Sequence, residues 1–83
     1  MSFKEEVLEL LIASAVDKMG ADRATLSAET RFKTDLGCKS ADIVRFTAVL
    51  EDEYEVEVPF MAFNRCATFG DAADYICKLM GMM

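Results

Sequence analysis

The 83-residue chain carries 15 acidic and 9 basic residues, for a net charge of −6, and has no histidine. That length allows a single domain, 1–83, which buries roughly 60% of its extended surface and has little room for an enclosed catalytic cleft. The acidic balance argues against nucleic acid and against an anionic membrane surface as the main partner, and the missing histidine removes His-based triads, the usual neutral-pH general base and His metal ligands. A content of 53% hydrophobic and 29% charged residues excludes a disordered tail. Cys38, Cys66 and Cys77 are odd in number and contain no C-x-x-C pair, so reduced thiols in a cytoplasm-like compartment are expected. No apolar stretch approaches the ~20 residues of a membrane helix, and Met1 to Glu6 has the wrong charges for a signal peptide. A cytoplasmic location without membrane insertion is expected.

Ser2 with Glu5 three residues on predicts a capping box. Val7, Leu8, Leu11, Ala15 and Met19 then recur at helical spacing, predicting a first helix over 3–18 that Gly20 ends in a left-handed conformation. Residues 20–39 form a long connection anchored by Leu26, Phe32 and Leu36, with one short helical turn over 22–25. A second helix begins near Ser40 and ends near Tyr54. Ile43, Phe46, Thr47, Leu50 and Tyr54 mark one face and Val44 and Ala48 another, while Glu51, Asp52 and Glu53 oppose its dipole. Glu55 to Val58 alternates like a strand, but an unpaired strand is unstable, so an extended loop is expected. Pro59 opens a short helix over 60–65. Thr68 with Asp71 caps the final helix, whose apolar face is Ala72, Ala73, Tyr75, Ile76 and Leu79; Gly81 breaks it and Met82 and Met83 fray. The fold class is all-α: three longer helices, a short third one, and a long loop between the first two.

Ser40 follows a glycine-containing loop and begins a helix, where unpaired backbone N–H groups and the helix dipole favour an anion. Lys39 adds a full positive charge. Capping alone also accounts for an isolated serine at such a position.

The surrounding residues add more. Thr30 to Asp42, with its Asp35-Leu36-Gly37 loop leading to Ser40, resembles the signature of acyl carrier proteins around their modified serine. Leu50 to Pro59 resembles the second half of that family's recognition helix and the turn after it, and Ala67 to Ile76 its last helix. The three blocks stand in family order without gaps and cover about 30–80. The resemblance implies a four-helix carrier that holds an acyl intermediate as a thioester on a 4′-phosphopantetheine arm, transferred from coenzyme A to Ser40 by a phosphopantetheinyl transferase. It implies a monomer that catalyses nothing and serves acyl-transferring or acyl-activating enzymes. Ala41, Val44, Arg45, Ala48, Glu51 and Asp52, with Lys39, are its docking candidates. Leu50, Tyr54, Val58, Phe63, Cys66 and Ile76 line either the core or an acyl cavity.

The chain departs from the family beside the serine. Lys39 and Ala41 stand where aspartate and leucine are usual, and Arg45 where an acidic residue is common. This points to a dedicated lipid, cell-surface or polyketide pathway rather than bulk fatty acid biosynthesis. Arg45 can equally form a surface pair with Asp42 worth ~0.3 kcal/mol. Phe60, Met61 and Phe63 are read mainly as core, with a narrowed cavity or an exposed apolar docking patch as the alternatives. Cys38 is expected to be exposed, though a nucleophile's role lacks a base, and Cys66 and Cys77 are taken as small buried hydrophobes. An aminoacyl or peptidyl carrier and an unmodified helical interaction module remain alternatives.

Overall fold

A computed structural model describes residues 2–81. Helix α1 spans Phe3–Met19, α2 Ser40–Tyr54, α3 Phe60–Asn64 and α4 Phe69–Leu79, with a 3₁₀ turn at Arg23–Thr25. The all-α expectation holds. Met82 and Met83, expected to fray, lie outside the described residues.

The helix ends follow their local chemistry. The Glu5 N–H donates to the Ser2 hydroxyl at 3.2 Å while the Glu5 carboxylate accepts from the Ser2 N–H, and Gly20 closes α1 at φ 67°. Thr68 and Asp71 make the same reciprocal pair at the start of α4. Helix α2 stops at Glu55, which takes φ 50° without being glycine. Residues 56–59 are extended and unpaired, as the loop reading requires.

α1 lies mainly against α4, and α2 against α3. The Lys4 ammonium pairs with the Asp74 carboxylate at 2.9 Å across the first contact, and Arg23 pairs with Glu9. Val7, Leu11 and Ala15 of α1, Ile43, Phe46 and Leu50 of α2, Phe63 of α3, and Phe69, Ala72, Ala73 and Ile76 of α4 form the core. Leu79, assigned to the apolar face of α4, is 37% exposed at the last residue of that helix.

Phe32 arises from the long connection and is 1% exposed. Its ring centroid lies 4.7 Å from that of Phe69, 5.3 Å from Phe46 and 5.6 Å from Phe63, so one loop residue touches an aromatic ring on each of α2, α3 and α4. The loop is also bonded to the mouth of α4. The Phe32 N–H donates to the Ala67 carbonyl, the Phe69 N–H to Thr30 and the Gly70 N–H to Ala28, at 3.2, 2.9 and 2.7 Å. Arg31 and Thr68 thereby form an isolated antiparallel bridge, which no periodicity in the sequence announces. Gly70 permits that close approach: a Cβ would stand 3.0 Å from the Ala28 carbonyl oxygen, which would have to shift by a few tenths of an ångström.

Phe32→Ala is expected to cost about 3–5 kcal/mol in urea unfolding. Gly70→Ala, by pushing the loop off α4, is expected to cost about 1–3 kcal/mol. A Phe32→Ala loss below 1 kcal/mol would show that the loop is not anchored through its ring.

Candidate functional site: the start of the second helix

The segment before α2 is closed on itself. The Cys38 N–H donates to the Phe32 carbonyl at 2.9 Å, and the Asp35 carboxylate accepts from the Arg31 N–H at 2.8 Å. Gly37, at φ 65°, supplies the left-handed turn that lets the chain re-enter a helix at once. The residue that anchors the loop in the core therefore also holds the residue just ahead of the α2 cap.

Ser40 is not the cap of that helix, as plain capping would have it. It is the first helical residue, and Lys39 is the N-cap. The Lys39 carbonyl accepts from Asp42 and Ile43 at 2.9 and 3.0 Å, while the Asp42 carboxylate accepts from the Lys39 N–H at 3.0 Å. With capping handled by Asp42, the Ser40 hydroxyl is left exposed and, among the described residues, without a hydrogen-bond partner. The N–H groups of Ser40 and Ala41 likewise meet no protein acceptor among the described residues. At the mouth of α4 the corresponding two amides are taken by loop carbonyls. Asp42 is the residue that the sequence reading missed; its signal was an acid three positions beyond the cap.

The docking candidates of α2 share one surface, with one exception. Lys39, Ala41, Val44, Arg45, Ala48 and Asp52 are exposed, Val44 by 50%. Arg45 does form the surface pair, its guanidinium 3.6 Å from the Asp42 carboxylate, yet its side chain stays 62% accessible. Glu51 is half-buried and accepts from the Val58 N–H at 2.9 Å. It ties the loop after α2 back to the helix, a structural duty that its place in an acidic run concealed.

Of the six core or cavity candidates, Leu50, Val58, Phe63 and Ile76 are buried, and Tyr54 and Cys66 are half-buried at the margin. Tyr54 packs edge-on against Phe3 with ring centroids 5.2 Å apart. The Phe32, Phe46, Phe63 and Phe69 rings, contributed by the loop, α2, α3 and α4, form one buried aromatic cluster. Phe60 is half-buried and Met61 is 68% exposed, so only Phe63 of that trio belongs to the core. Cys38 is corrected: it is 7% exposed, with its thiol 3.7 Å from the Met19 sulfur. Burial first, and the Asp42 charge second, push that thiol up from 9.0 to about 11, the opposite of an activated nucleophile. Cys77 is buried as expected, while Cys66 is half-buried.

A family model described as the phosphopantetheine attachment site matches residues 9–76, and the chain belongs to that family. It is a phosphopantetheine-carrying carrier protein, with 4′-phosphopantetheine as its covalently bound cofactor, and domains of this kind are generally non-catalytic. Among the described residues, no helix is long and apolar enough to cross a membrane.

The unfolded Cys38 thiol ionises near 9.0, whereas the folded one keeps its proton until about 11. Stability is thus expected to fall as pH rises from 9 towards 11. Burial raises Cys66, Cys77 and Tyr54 as well and gives them the same sign. Melting curves across that range should show a shallower decline in Cys38→Ala; an unchanged slope would exclude Cys38 as a contributor.

Proposed function

We propose that Ser40 is the attachment point and that the chain is an acyl carrier of a dedicated pathway. The observation that carries this reading is the Ser40 hydroxyl, exposed and unbonded beside two amides without protein acceptors, with Lys39 adjacent. A phosphodiester there meets N–H donors, a favourable helix dipole and a full positive charge. Asp42 keeps Ser40 in the first turn by holding the Lys39 N–H, and its own charge is met by Arg45.

During loading, the Ser40 oxygen bonds to phosphorus as the pyrophosphate bond of coenzyme A breaks and the nucleotide leaves. The hydroxyl proton goes to a base on the phosphopantetheinyl transferase, because this chain has no histidine to take it. The bound group supplies a terminal thiol that holds cargo as a thioester. The chain's own residues then present it: Lys39, Ala41, Val44, Arg45, Ala48 and Asp52 as the accessible docking face, with Glu51 at its edge. Lys39 and Arg45 place positive charge where acyl carriers usually present negative charge, which disfavours enzymes built for an acidic helix and supports dedicated acyl-handling partners. Leu50, Val58, Phe63 and Ile76, flanked by Tyr54 and Cys66, would wall any sequestered chain.

Incubation with coenzyme A and a broad-specificity transferase is expected to add the mass of one phosphopantetheinyl group to the intact protein, and Ser40→Ala is expected to abolish the gain. No gain with several transferases, or a gain that survives Ser40→Ala, would overturn the assignment.

A further inference from the structure

Arg31, Lys33 and Arg65 take no part in the site above, yet they converge on one open groove of about 210 Å³. Arg31, Lys33 and Thr34 form one wall, and residues 64–67 the other. All three cations are exposed, and among the described residues none is in an ion pair. No carboxylate lines the groove. Two nearby carboxylates are committed to backbone amides: Asp35 accepts from the Arg31 N–H at 2.8 Å and Asp71 from the Thr68 N–H at 3.3 Å. The groove is therefore a concentrated positive spot on a chain whose net charge is −6.

That contrast selects the ligand. An extended polyanion laid across the groove would also cross the acidic remainder of the surface and be repelled. A short run of Asp or Glu side chains, projecting from a folded protein, meets only the three cations. We propose that this groove docks a short acidic segment of the partner enzyme that works on the group carried by α2. The inference rests on the carrier reading and deepens it. The loop holding Arg31 and Lys33 is the one that closes through the Cys38 N–H to Phe32 carbonyl bond and leads directly into Lys39 and Ser40, so the groove and the start of α2 belong to one continuous segment. An acidic contact here and a basic contact at Asp52 and Glu53 would fix the partner's orientation by charges of opposite sign.

The test is an amide-resolved NMR titration of the loaded protein, repeated on unloaded protein, with hexaglutamate as probe. Saturable shifts are expected at 31–34 and 64–67 in both forms, weakening with added salt. Lys33→Glu/Arg65→Glu is expected to weaken binding about tenfold, and Lys33→Gln/Arg65→Gln by less, while both still gain the arm at Ser40. Shifts centred elsewhere, an affinity untouched by either double variant, or an equal response to inorganic phosphate would overturn the proposal. Because the titration also reads unloaded protein, its failure is distinct from a failure of loading at Ser40.

Discussion

The insertion of one loop side chain into an aromatic cluster sets the geometry of this domain. Residues 20–39 contain no long helix, and ordering so long a connection carries a large entropic cost. The Phe32 ring offsets that cost by meeting Phe46, Phe63 and Phe69 at once, and three backbone hydrogen bonds to the start of α4 keep it there. Its carbonyl then receives the Cys38 N–H. Core formation and the closing of the segment that leads into α2 thus share one buried residue.

Electrostatics divides the surface into regions of different use. Asp42 is spent on the cap and on Arg45, and Glu51 on the Val58 amide. The acidic residues beyond them on α2 stand free against the dipole. In the groove beside the loop, Arg31, Lys33 and Arg65 are in no ion pair among the described residues. A chain that is acidic in sum therefore presents local charge of both signs, and net charge alone says little about which enzymes it admits.

Much of the fold was legible because helix-end chemistry is local. The Ser2–Glu5 and Thr68–Asp71 boxes, Gly20 and the end near Tyr54 all depend on residues within four positions of one another. What escaped the sequence depends on distant partners. The Arg31–Thr68 bridge joins segments 37 positions apart, and nothing in the run 28–32 marks it as paired. Cys38 looked exposed because it lies two residues before Ser40, yet it turns towards Met19 of α1. Glu51 looked like one member of a solvated acidic run, because its acceptor role is defined by a backbone amide seven residues on. The site was recognisable as a pattern around Ser40, but the division of labour between Ser40 and Asp42 emerged only when both were seen at the helix start.

The closure between Phe32 and Cys38 carries the interior out to the surface. The carbonyl that receives the Cys38 N–H belongs to a residue whose ring is packed among three others. A substitution that loosens that ring therefore also loosens the acceptor that holds Cys38, two residues ahead of Ser40, so damage deep in the core is felt at the entrance to α2 without any change to an exposed atom.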